Sequence, residues 1–154
     1  MHFALALLTV LASPGGEICQ SGRAEYAMPD AAYVLQTEYS PGSPVRVTVR
    51  SQISGARYDF LISTGNGYST DVLVPIVGGK SVATAHIVQI YAVDENLDFY
   101  PTLPRDGAAP EYILVPELGR MLWYEAETLG GPTMASGVRE SLPRGFFRFQ
   151  RCID

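Results

Sequence analysis

Residues 58–77 read YDFLISTGNGYSTDVLVPIV. Tyr58, Phe60 and Ile62 alternate with Asp59, Leu61 and Ser63, the period-two pattern of a half-buried strand. Gly65-Asn66-Gly67 follows, and a second β-rich run extends from Tyr68 to Val77. Asn tolerates positive φ and Gly adopts it freely. An Asn-Gly step between two such runs therefore matches the twist of paired strands and marks a hairpin. Pro75 has no N–H to give, so the second strand is expected to end near Val74 or to lie at a sheet edge.

The same period continues on both sides. Val45, Val47 and Val49 alternate with Arg46, Thr48 and Arg50, and Tyr33 to Tyr39 forms an earlier run. Pro41, Gly42 and Pro44 separate these two runs, which predicts another hairpin. Residues 86–93, HIVQIYAV, lack a clean alternation and read as a strand buried on both faces. The proline-rich stretch 99–110 reads as a loop. Glu111 to Val115 and Arg120 to Tyr124 read as a strand pair around Pro116, Glu117 and Gly119. Phe146 to Cys152 reads as a last strand. A short helix at 132–142 is expected because Pro132 suits a first helical turn.

These runs make about eight strands, and no helix long enough for a βαβ crossover separates them. The expected class is all-β: one antiparallel β-sandwich, with a small β-barrel as the alternative. The chain has 154 residues, 47% of them hydrophobic and 18% charged. That suits one domain with a core and excludes general disorder. There is no internal repeat, heptad run or glycine every third residue.

Residues 3–12, FALALLTVLA, are too short to cross a bilayer, which takes ~20 apolar residues. With Ala12, Ser13, Pro14 and Gly15 behind them, they fit a signal peptide despite lacking a basic start. The expected organisation is a signal over 1–12, cut there or as late as residue 16, and one β-domain over 13–154. Ile18 precedes Cys19, where a lipoprotein signal places a small residue. The two cysteines are not in a C-x-x-C pair, and a zinc site would need about four ligands. In an oxidising compartment a Cys19–Cys152 disulfide is expected, closing a loop of 133 residues.

The formal charge is -5. Between Asp94 and Glu127 stand eight acids and two arginines, whereas Arg139, Arg144, Arg148 and Arg151 crowd the end of the chain. The late arginines are expected to pair with the acidic segment. An acidic chain with one lysine has little with which to neutralise phosphates, so no nucleic-acid partner is expected. No membrane span is expected after signal removal.

The search for chemistry yields fragments. His86 has no G-x-S-x-G partner. Asp94, Asn96 and Asp98 spell the D-x-N-x-D opening of a calcium loop, but Phe99 and Arg105 replace its glycine and final glutamate. An Asx-capped turn is the favoured alternative. Glu111, Glu117, Glu125 and Glu127 lie near Tyr112, Trp123 and Tyr124, as a glycoside hydrolase or carbohydrate-binding module would require, with nothing to fix their separation. No catalytic residue and no cofactor is therefore assigned. Trp123, Tyr124 and Tyr100 are the expected contacts with a ligand or partner. The functional expectation is an exported, non-catalytic domain that binds an envelope or extracellular protein or ligand. The alternative is a small secreted glycoside hydrolase or carbohydrate-binding module using residues 111–127.

Overall fold

The computed structural model describes residues 16–65, 69–131, 139 and 141–154. In chain order the strands are β1 (Gly16–Ile18), β2 (Arg23–Ala27), β3 (Tyr33–Glu38), β4 (Arg46–Ser51), β5 (Arg57–Thr64), β6 (Asp71–Val77) and β7 (Lys80–Ser81). They continue with β8 (Val88–Gln89), β9 (Tyr91–Val93), β10 (Phe99–Tyr100), β11 (Ala108–Pro110), β12 (Tyr112–Leu114) and β13 (Phe146–Cys152). Among the described residues one helix, α1 (Leu118–Tyr124), stands between β12 and β13.

The all-β, antiparallel expectation holds. Eleven strands form one curled sheet in the order β10-β9-β12-β13-β2-β3-β4-β5-β6-β7, with β8 added beside β6. β1 and β11 form a small second sheet. The run 88–93 bridges the curl: Val88 and Gln89 pair with Leu73 and Val72, while Tyr91 to Val93 pair with Leu114 to Tyr112. The core fills the inside of this half-barrel. Tyr26, Leu35, Val47, Val49, Phe60, Ile113 and Phe147 are buried there, each from the inward-facing set of its strand, with Ile90 from the link between β8 and β9.

The hairpin at 57–77 pairs Thr64 with Asp71 and continues to Asp59 with Ile76. Its strand runs through Pro75, beyond the expected end at Val74. Pro75 faces Phe60 on one side, and its carbonyl accepts the Val82 N–H on the other. The short partners β7 and β8 pair with residues on either side of it, so the missing N–H breaks no ladder bond.

Residues 120–124, expected as a strand, are helical. Leu118, Met121 and Leu122 are spaced three and four apart and all are buried, so the helical period satisfies the core where alternation would not. The run 86–93 is also not buried on both faces throughout. Val88, Ile90 and Ala92 point inward, while Ile87 and Gln89 are exposed. The expected helix at 132–142 falls largely outside the described residues, as does the expected signal at 1–12. Among the described residues no helix is long and apolar enough to cross a membrane.

Two features close the structure. Cys19 and Cys152 form a disulfide with Cα atoms 5.2 Å apart. Beside it, Gly22 has φ 71°, and a Cβ there would stand 2.2 Å from the Tyr39 carbonyl oxygen, so the tight turn after Cys19 needs glycine. At the other side of the curl lies Asp71, which has 0% of its surface exposed. Its carboxylate accepts two 2.8 Å bonds from the Arg105 guanidinium, one of 2.8 Å from the Leu103 N–H and one of 3.1 Å from the Thr64 hydroxyl.

Titration of the unfolded, unreduced protein is expected to find no free thiol, and Cys19→Ser with Cys152→Ser to lose up to about 5 kcal/mol of unfolding free energy. Arg105→Gln leaves the Asp71 charge buried without its cation. Urea titration should show a loss of about 3–5 kcal/mol. Removing the exposed Arg57–Asp59 pair through Arg57→Gln should cost no more than about 1 kcal/mol.

Candidate functional site

The outer face of the curled sheet divides into two regions of different chemistry. Over β9, β10, β12 and β13 it is aromatic. Tyr91 and Phe99 meet edge to face with ring centroids 6.4 Å apart. Phe99 and Phe146 lie 6.4 Å apart at 47°, and Phe146 and Tyr112 lie 5.8 Å apart at 59°. The register explains the cluster. Tyr91, Leu114 and Phe146 occupy one cross-strand row, and Phe99, Val93 and Tyr112 occupy the next. Val93 is fully buried although it points away from the core interior, which holds Ala92 and Ile113. Phe99 remains 54% exposed.

Beside this cluster runs an open groove of about 360 Å³. Met28, Pro29, Tyr112, Pro143 and Phe146 give it apolar walls, and Asp30, Arg144 and Arg148 give it charges. Arg148 reaches Glu111 at 3.4 Å. This is the pairing expected between the late arginines and the acidic segment. Arg151 instead pairs with Glu25 at 3.0 Å, because the last strand lies against β2.

The expected contact residues do not gather at one place. Trp123 and Tyr124 sit on α1, 40% and 66% exposed. The Arg139 guanidinium lies 5.7 Å over the Trp123 ring. Tyr100 packs its ring against the core, and its hydroxyl donates to Asp94 at 3.1 Å.

The D-x-N-x-D segment is an Asx-capped turn. The Asp94 carboxylate accepts the backbone N–H groups of Asn96 and Asp98 at 2.9 Å each. The Asp98 N–H, with the Asn96 N–H and the Tyr100 hydroxyl, holds the Asp94 carboxyl below its ordinary range against the opposing effect of burial. The same bond to Asp94 raises the Tyr100 phenol. Among the described residues no three His, Cys, Asp or Glu side chains gather as a metal site would need.

Three of the four acids considered for hydrolysis are each bound to a different basic side chain. Glu111 meets Arg148, and Glu117, just before α1, meets Arg120 of its first turn at 3.6 Å. Glu125, just past the helix, meets His86 across 39 positions of sequence. Its carboxylate takes the backbone N–H groups of Ala85 at 2.9 Å and His86 at 3.0 Å, together with the His86 ring through Nδ1. A carboxylate only accepts, so Nδ1 carries the proton, and in the neutral ring Nε2 is the lone-pair nitrogen. Tyr124 stacks over the ring at 6.4 Å. Among the described residues no hydroxyl or thiol is bonded to Nε2, the position from which the imidazole would activate a nucleophile. The nearby Thr84 hydroxyl donates to the His86 backbone carbonyl at 2.9 Å. The pair fastens the segment before β8 to the end of α1. Nothing in the sequence spacing pointed to it.

No protein-family model, curated protein or solved structure matches the chain.

Burial works to raise the Glu125 carboxyl, and the bonds from His86 and Ala85 outweigh it, leaving the group below its ordinary value of 4.5. A depressed carboxylate adds stability that is complete above its unfolded value and disappears as pH falls through the folded one. Glu125→Gln should therefore cost about 1–3 kcal/mol at pH 7. The deficit should shrink as pH drops below 4.5, measured by urea unfolding across the acid range.

Proposed function

We propose that the protein is an exported, non-catalytic β-domain that holds an extended segment of another extracellular or envelope protein on its aromatic outer face. The observation that carries this reading is the cluster of Tyr91, Phe99, Tyr112 and Phe146 on the outside of a sheet whose inside is already filled. Folding needs one buried face per sheet. A second apolar face, rimmed by Arg144, Arg148 and Asp30, has the composition of an interface: an aromatic centre inside a charged border.

The ring geometry supports a peptide over a sugar. The rings are tilted by 47° to 78° to one another, so they form ridges and crevices that take side chains, where a sugar ring would need a flat platform. Added-strand pairing is disfavoured, because the edge strands β7 and β10 have two residues each. The disulfide and the apolar start of the sequence support export. The separate pairing of Glu111, Glu117 and Glu125 weighs against the hydrolase alternative.

A photo-crosslinking residue in place of Phe99 in the producing cell should capture one heterologous protein through a defined segment, and the same residue in place of Arg50 should not. With that partner purified, Phe99→Ser should weaken binding by tenfold or more, the scale of a buried aromatic anchor. Capture of a second copy of this chain, or equal capture from both positions, would refute the reading.

A further inference from the structure

The rest of the outer face, over β2 to β5, is polar and basic. Arg23, Arg46, Arg50 and Arg57 project from it, with Arg151 on the neighbouring β13, against the three carboxylates Glu25, Glu38 and Asp59. This excess of cations stands on a chain whose net charge is -5. Part of it is balanced locally. Arg57 holds Asp59 at 2.9 Å, Arg151 holds Glu25 at 3.0 Å, and Arg23 donates to the Asp154 carbonyl oxygen.

Two arginines are not accounted for in this way. Arg46 and Arg50 are exposed, and among the described residues neither forms an ion pair. The register places Arg50 directly opposite Arg57 on β5. Like charges facing each other across a ladder work against folding. Arg50 has Val34 as its neighbour on the other side, so the acid beside the pair is Asp59, which Arg57 already holds. The fold gains nothing from this pair, whereas an anionic ligand would.

The same face carries a local hollow. A groove of about 340 Å³ is lined by Arg23, Arg46 and Arg57, with Glu38 the acid among its lining residues. Glu38 lies between Arg23 and Arg46 in one cross-strand row. Three guanidinium groups from three different strands then present planar donor forks around one hollow. Thr48 and Gln36 also line it. The Thr48 hydroxyl is occupied with Asp59 and the Gln36 amide with Glu25, so Arg46, with the N–H groups of Arg23 and Arg57 not used on Asp154 and Asp59, supplies the donors left to a ligand.

We infer that the Arg23–Arg46–Arg57 groove, with Arg50 beside Arg57, is a binding site for a multiply charged phosphate- or sulfate-type oxyanion. A single carboxylate would satisfy one fork. A tetrahedral oxyanion with charge near two can accept from two or three at once and relieve the Arg50–Arg57 repulsion. The site lies on different strands from the aromatic cluster, so it is independent of the protein partner proposed above.

The test uses the full disulfide-bonded protein at low salt. Amide resonances of β3 to β5 are followed during titration with inorganic phosphate, inorganic sulfate, dextran sulfate and phosphatidylglycerol vesicles. Saturable shifts confined to this face, weakened at least tenfold in Arg46→Gln with Arg50→Gln and unchanged in Arg120→Gln, are the expected result. Because Arg46 and Arg50 have no ion pair among the described residues, the double variant should keep the wild-type amide spectrum elsewhere. The arms identify the source. Saturation by the free ions marks a small-anion site, by dextran sulfate alone a polymer site, and by vesicles alone a lipid headgroup site. Absence of binding in all four arms would overturn the inference. So would binding that the double variant retains, because any anion would then be held elsewhere.

Discussion

The architecture depends on one buried carboxylate. Asp71 opens β6 at the foot of the hairpin, and three parts of the chain converge on it. Its side chain binds Thr64 of β5, the Leu103 N–H and the Arg105 guanidinium. Its backbone N–H donates to Pro101 at 2.8 Å, and its carbonyl accepts the Ile90 N–H at 3.1 Å. Ile90 is the residue at which the run 88–93 passes from β6 to β12. A buried charge is costly unless every lone pair is used, and here that requirement draws in both the bridging strand and the proline-rich stretch 99–110. The arginine that spoils the calcium-loop pattern at 94–105 is thereby explained: it is the counter-ion of Asp71.

What was legible in the sequence was what local pattern determines. Alternation placed β3, β4, β5 and β13, and the Asn-Gly step placed the β5–β6 hairpin. The cysteines are joined as their isolation from any C-x-x-C motif suggested. What was missed depends on distance. β2 is a five-residue run, RAEYA, whose inward set of Ala24 and Tyr26 is too small and too short to stand out. The stretch at 118–124 carries apolar residues that suit both periods, and only the space under the sheet decides for the helix. The His86–Glu125 and Asp71–Arg105 pairs join segments that no spacing rule connects. Of the expected contact residues, Trp123 and Tyr124 are exposed on α1, but the aromatic cluster draws on residues scattered from Tyr91 to Phe146. Its members come together only through strand order.

The two regions of the outer face follow from one economy in the fold. A sheet curled around its own core has a convex surface free over most of its strands. On β2 to β5 that surface carries the alternating charged residues expected in water. On β9, β10, β12 and β13 the same alternation brings out tyrosine and phenylalanine. The irregular pattern of residues 86–93, which read as burial on both faces, arises because Tyr91 and Val93 of their outward set belong to the aromatic region. The rule of polar-out, apolar-in holds for most of the sheet and fails toward its β10 end.

The Cys19–Cys152 bridge also has a mechanical meaning. Its cysteines lie 133 positions apart in sequence, yet their Cα atoms are 5.2 Å apart in space. Tension applied to the chain flanking the two cysteines would pass through the sulfur–sulfur bond. The hydrogen-bonded strands between them lie outside the load path. Pulled in this way, the domain transmits force without extending, and its outer faces keep their shape under load.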